Sequence, residues 1–143
     1  MQNIKFMKSK NSMLVLLLAL LIFSSCAKDI VVNYGNPSPN SGNIVVRPTS
    51  SVYSNLTFND SLLVKYKYVK SITIKNVPEG VNTIHFSGES NNLKKELDIN
   101  KEVKVTAGKT NTQLVTVPPK SNGYWVSEAF TIIGLYSLLF IAY

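Results

Sequence analysis

Three textures follow one another along the chain. The first has three lysines, Lys5, Lys8 and Lys10, and then an uncharged apolar run from Met13 to Phe23. From Ile44 to Val117, short runs of β-branched and aromatic residues recur at spacings of about ten, and apolar side chains alternate with polar ones. Val64, Tyr66 and Tyr68 fall on one side of their run and Lys65 and Lys67 on the other, while Ile72 and Ile74 alternate with Thr73 and Lys75. A period of two is that of a half-buried strand. Strands are therefore predicted at 44–47, 52–59, 62–69, 71–76 and 81–87, at 94–99 with 102–106 as one interrupted pair, and at 112–117. The third texture, Phe130 to Tyr143, carries no charge and predicts an apolar helix.

Short, evenly spaced strands imply an all-β domain, an antiparallel β-sandwich of about seven strands. The turns carry matching chemistry. Asn59-Asp60 tolerates left-handed backbone and predicts a tight loop. Pro78-Glu79-Gly80 predicts a hairpin between 71–76 and 81–87, with Pro78 presetting φ and Gly80 supplying a positive one. Ala107-Gly108-Lys109-Thr110 predicts a third turn. The expected core is Val45, Leu56, Phe58, Val64, Tyr66, Ile72, Ile74, Ile84, Phe86, Leu97, Val103, Val105, Leu114 and Val115. Residues 27–43, dense in Asn, Gly, Pro and Ser, suit a flexible tether better than the alternative of a short edge strand at Ile30-Val31-Val32. The organisation expected is thus a segment 1–25, a tether 26–43, a sandwich 44–120 and a tail 121–143.

The lysine-flanked apolar run ends at Phe23-Ser24-Ser25 before Cys26, the only cysteine. This is the layout of a bacterial lipoprotein signal peptide, with small residues next to the cut. The four positions Phe23 to Cys26 resemble a lipobox, departing from it at Phe23, where leucine is commonest. The resemblance implies removal of 1–25 and a diacylglycerol thioether, usually with an acyl amide such as palmitate, on Cys26. Two acyl chains suffice for stable anchoring. The alternatives for Cys26 are a small buried hydrophobe or an intermolecular disulfide. At eleven residues, Met13 to Phe23 is short of the roughly 20 that a spanning helix needs.

Gly42-Asn43-Ile44-Val45-Val46-Arg47-Pro48, Leu56-Thr57-Phe58-Asn59-Asp60, Val77-Pro78-Glu79-Gly80-Val81-Asn82-Thr83-Ile84 and Val105-Thr106-Ala107-Gly108-Lys109-Thr110 together resemble the PEGA type of bacterial sandwich module. Asn59-Asp60-Ser61 stands where that family often repeats glycine. The resemblance implies an envelope-associated binding or spacer domain without a catalytic site. Asp60-Ser61-Leu62 resembles the O-glycan acceptor triplet of exported Bacteroidetes proteins, which marks Ser61 as a candidate glycosylation site. Lys28-Asp29 resembles part of the surface-export signal of lipoproteins in that phylum. Asn55-Leu56-Thr57 and Asn59-Asp60-Ser61 also fit the N-glycan acceptor pattern.

Charge changes the picture little. Twelve of the fifteen basic residues and all eight acidic ones follow Cys26, leaving a mature chain at +4. A single arginine, Arg47, and scattered lysines are no nucleic-acid footprint. His85 is the only histidine, so a metal centre or histidine triad lacks partners. Gly108-Lys109-Thr110 imitates the end of a phosphate-binding loop, but Val103 stands where that loop needs glycine. The carboxylates Asp60, Glu79, Glu89, Glu96, Asp98 and Glu102 fall at turns or on lysine-rich faces. The expectation is no enzyme and no cofactor.

The tail follows Pro118-Pro119-Lys120-Ser121-Asn122-Gly123. Counted from Tyr124, it reaches the length of a spanning helix with Glu128 near one end, and Tyr124 and Trp125 would form an interfacial belt. Membrane association, spanning or lying flat, is favoured over packing on the sandwich, because a small core has little face to cover Ile132, Leu135 and Leu138. The functional expectation is a membrane-anchored envelope lipoprotein, more in keeping with the outer than the inner membrane. It would act as a structural or protein-interaction module, with a glycan or peptidoglycan binder as the alternative.

Overall fold

The computed structural model describes residues 26–89 and 93–141, so the expected signal segment lies outside the described residues. Ala27–Tyr124 forms one compact unit, and the residues from Trp125 onward belong to a second. The first holds seven strands: β1 (Lys28–Asn33), β2 (Ser41–Pro48), β3 (Val52–Phe58), β4 (Ser61–Pro78), β5 (Gly80–Gly88), β6 (Asp98–Val105) and β7 (Thr110–Val115). One helix, α1, follows at Asn122–Ile141. All seven strands join a single sheet in the order β6-β5-β3-β4-β2-β7, with β1 also on β4. The sheet is mixed and curled almost into a barrel. The chain is all-β as expected, but not purely antiparallel: β1 runs parallel to β4 and β2 parallel to β7.

The long strand β4 accounts for this shape. Its first half pairs with β3, from Phe58↔Ser61 to Val52↔Val69. Its second half pairs antiparallel with β2, from Val46↔Ile72 to Ser41↔Pro78, and parallel with β1. Separate strands were expected at 62–69 and 71–76. No Gly, Pro, Asn or Asp stands at Val69-Lys70-Ser71, so the ladder continues through. The Pro78-Glu79-Gly80 turn is present, with Gly80 at φ 131, yet it joins no hairpin. Pro78 pairs with Ser41, the Glu79 N–H donates to the Asn40 carbonyl at 3.0 Å, and β5 crosses to lie between β3 and β6. Turn chemistry sets a change of direction, not the partner. At Asn59-Asp60, by contrast, φ is 44 and 63, and the two residues close the tight β3–β4 hairpin.

Part of the expected tether is strand. Because β3 leaves β4 at Val69, the edge of β4 beyond it would stand bare, and β1 covers it with Ile30, Val31 and Val32 opposite Ile72, Thr73 and Ile74. The chain then turns so that Tyr34 packs edge-on against Phe58, with ring centroids 4.7 Å apart.

The core gathers Ile44, Leu56, Phe58, Ile72, Ile74 and Phe86, all wholly buried, with valines from β2, β4 and β6. Burial of each such large side chain contributes about 1.5–3 kcal/mol. Three expected core residues are not in it. In β2 the inward phase takes Gly42, Ile44 and Val46 and leaves Val45 half-buried. Leu114 and Val115 are adjacent, so a strand turns only one inward; Val115 is buried and Leu114 exposed. Tyr66 faces solvent because φ is 45 there. This residue absorbs the odd spacing between buried Val64 and buried Val69.

Sheet closure is tightest at Gly42, where a Cβ would stand 2.6 Å from the Thr106 carbonyl oxygen and 2.7 Å from that of Lys109. The Thr106 carbonyl accepts the Lys109 N–H at 3.1 Å and the Lys109 carbonyl accepts the Asn43 N–H at 2.9 Å, so neither oxygen can withdraw cheaply. Gly42→Ala is expected to lower stability by about 1–3 kcal/mol, read as a reduced urea midpoint with unchanged slope.

Candidate functional site

Two surfaces carry chemistry. The first is the corner where the chain joins and leaves the sheet. Val69 is the register partner of both Lys28 and Val52, so the residues just after Cys26 lie beside the connection from β2 to β3. At the other end of the unit, Pro48 pairs with Val115, the Thr49 N–H donates to the Val115 carbonyl at 2.9 Å, and the Val117 N–H donates to Thr49 Oγ1 at 3.0 Å. The chain therefore departs from the corner at which it arrived. A cleft of about 470 Å³ lies there, lined in part by Asp29, Arg47, Ser50, Lys70 and Ser71. Ser71 Oγ donates to Asp29 Oδ1 at 2.6 Å, giving that carboxylate a structural partner. Cys26 is a free, exposed thiol.

The second surface is the outer face of β4, β3, β5 and β6. Tyr53 sits between two tyrosines, near-parallel to Tyr66 with centroids 5.1 Å apart and tilted against Tyr68 at 5.0 Å. Tyr66 is 54 % exposed and Tyr53 39 %. The left-handed backbone at Tyr66 is braced by Asn55, whose Oδ1 accepts the Tyr66 N–H at 2.8 Å. Sequence reasoning placed Tyr66 in the core; the odd interval from Val64 to Val69 was the available signal that the phase must slip. Beyond the tyrosines, register sets Asn55 opposite Ser87, Thr57 opposite His85, and His85 opposite Asn100. His85 Nε2 lies 2.6 Å from Asp98 Oδ1, a pair that the strand reading of His85 did not anticipate. A shallow depression of about 230 Å³ opens among Thr57, Asn59, Thr83, His85 and Asn100.

The remaining candidates are placed separately. Ser61 opens β4 and is exposed, directly after the hairpin turn. Asn59 is held on both sides of its amide, donating from Nδ2 to Asn82 Oδ1 and accepting the Thr83 N–H, both at 2.8 Å. With Asn55 bound to the Tyr66 backbone, both asparagines of the N-glycan patterns have structural roles. Gly108-Lys109-Thr110 forms the expected turn, with Gly108 at φ 67. Among the described residues, no group of three His, Cys, Asp or Glu side chains could hold a metal ion.

Tyr124 and Trp125 stand in the first turn of α1, which Ser121 caps: its Oγ accepts the Tyr124 N–H at 3.4 Å. Lys120 Nζ lies 3.6 Å from the Tyr124 ring centroid. Farther along, Trp125, Phe130 and Ile133 are exposed. The Thr131 and Ser137 hydroxyls donate to carbonyls four residues back, each at 2.9 Å, so their hydrogen bonding is met within the helix. Among the described residues, no helix is long and apolar enough to cross a membrane.

No protein-family model matches the chain, and no curated protein matches it.

The Tyr66 hydroxyl titrates above the ordinary tyrosine value of 10.0, first through partial desolvation, then through its hydrogen bond to Glu89 and that carboxylate's charge, with a smaller contribution from Tyr53. The unfolded chain ionises this group more readily than the folded one. The resulting stabilisation is complete below pH 10 and is lost as pH rises through the folded value. Tyrosinate absorbance of the native protein should show a late-titrating component, which Tyr66→Phe removes; an unchanged profile would contradict the assignment.

Proposed function

We propose that this protein is a lipid-anchored, non-catalytic binding module of a bacterial cell envelope, held to a membrane through acylated Cys26. The observation that carries the reading is the shared corner: residues just after Cys26 and the strand leading toward α1 both meet the sheet at the connection from β2 to β3. An anchor attached there leaves the strand edges and the outer face open to a partner. Arg47 and Lys70 at this corner favour an anionic headgroup surface, each such cation adding about 1 kcal/mol close to charged lipid. The exposed apolar side chains of α1, with its hydroxyls bonded internally, suit a segment lying at the membrane interface with Tyr124 and Trp125 near the headgroups.

The PEGA resemblance accords with a spacer or interaction domain. The outer edges of β6 and β7 offer backbone groups to an envelope protein partner by strand addition. The second reading, a glycan or peptidoglycan binder, is favoured by outward Tyr66, which joins Tyr53 and Tyr68 in an exposed aromatic cluster. The proposed location is the envelope, the outer membrane before the inner. Neither reading calls on a cofactor or a nucleic acid.

The test is intact mass and membrane fractionation of the expressed protein beside Cys26→Ser. Processing to Cys26 with added acyl mass, abolished by the substitution, is expected. An unprocessed, unacylated wild type would overturn the anchor. A processed Cys26→Ser protein that stays membrane-bound would identify α1 as an anchor in its own right.

A further inference from the structure

The outer face of the sheet has a composition that its neighbours lack. Outward positions are Tyr53, Asn55 and Thr57 on β3, Thr83, His85 and Ser87 on β5, and Asp98, Asn100 and Glu102 on β6. None of these nine is Lys or Arg; Lys104 follows in the same phase at the far end of β6, and exposed Lys65 and Lys67 flank Tyr66 on β4. Tyrosine rings stand at one side of this face, and the depression among Thr57, Thr83, His85 and Asn100 lies beyond. Rings beside amides, hydroxyls and carboxylates suit a ligand with apolar C–H faces and a rim of neutral hydroxyls.

We infer that the outer face of β4, β3, β5 and β6 is a binding surface for a neutral saccharide chain, with one sugar stacked on the Tyr66–Tyr53 rings and the next hydrogen-bonding across Asn55, Ser87 and the His85–Asp98 pair. This deepens the glycan reading and rests on it. Tyr66 is the anchor. A tyrosine with φ 45 is a strained backbone position, and the Asn55 brace holds it with the ring outward. A core role does not account for that expense of strain, since the side chain is 54 % exposed. Four strands at their usual spacing make the face about 14 Å wide, which gives room for a chain rather than a single sugar.

The decisive variant is Tyr66→Gly. Glycine is at ease at positive φ, so the substitution removes the ring while relieving the bulge, and the melting temperature should hold or rise. The full-length protein in detergent would be tested for retention on purified bacterial sacculi, cellulose and dextran. The expected result is retention of wild type on at least one polymer, lost by about tenfold in Tyr66→Gly, the scale of an aromatic contact, and largely kept in Tyr66→Phe. Retention of wild type on none of the polymers, or equal retention of Tyr66→Gly, would overturn the proposal. Acylation of Cys26 is read independently by mass. Loss of the anchor therefore leaves the saccharide result standing, and the reverse also holds.

Discussion

The 2.8 Å hydrogen bond from the Tyr66 N–H to Asn55 Oδ1 sits at the point on which the sheet turns. A bulged strand has one backbone group too many for its ladder. Here that group is Tyr66 N–H, and a side chain of the neighbouring strand accepts it. With the donor satisfied, β4 can slip its phase between Val64 and Val69 without breaking. One continuous strand then belongs to the β3–β5–β6 half of the sheet at its start and to the β2–β7 half at its end. Leu56, Phe58 and Phe86 from the first half and Ile44, Ile72 and Ile74 from the second belong to one hydrophobic core.

Two further features depend on that bend. The first is the place of β1. The second half of β4 has an edge that β3 does not reach, and Lys28–Asn33 fills it as a parallel strand. Parallel pairing needs no hairpin, only a segment delivered from elsewhere in the chain. The second is the near closure at Gly42, where backbone from the β6–β7 turn approaches so closely that a Cβ has no room. Curling a sheet this far protects most of its edges, and the edges of β6 and β7 remain to be managed. Asn111 Nδ2 donates to the Lys104 carbonyl at 3.0 Å, a side-chain bond that partly occupies one of them.

The same bend separates the aromatic face from the corner where the chain enters the sheet. Slipping the phase turns Tyr66 out beside Tyr53 and Tyr68, on the face that β5 and β6 extend with neutral polar residues. The corner with Arg47, Lys70 and the residues after Cys26 is a different surface, formed at the connection from β2 to β3. The wholly buried core makes the sheet between these two surfaces rigid.

Strand existence was legible in the sequence because each strand states its own period: 52–58 and 81–87 alternate cleanly, and Asn59-Asp60 is a turn whichever strands it joins. The lysine-flanked apolar run and Cys26 are legible for the same reason, being local patterns in consecutive residues. Partner choice was not. Pro78-Glu79-Gly80 looks like a hairpin from its own residues, but whether 81–87 lies against 71–76 or against β3 depends on which side offers Leu56 and Phe58 to Ile84 and Phe86. That is a property of the assembled core. Ile30-Val31-Val32 reads as tether in isolation because only the unfilled edge of β4 makes it a strand. The outward Tyr66 follows from a one-residue phase slip that apolar alternation conceals, since tyrosine suits either face. The sequence by itself determined the local backbone periods, the turns and the chemical character of the termini. Tertiary structure alone decided pairing, sheet closure and which tyrosines meet solvent, because those depend on contacts between residues far apart in the chain that compete for the same buried space.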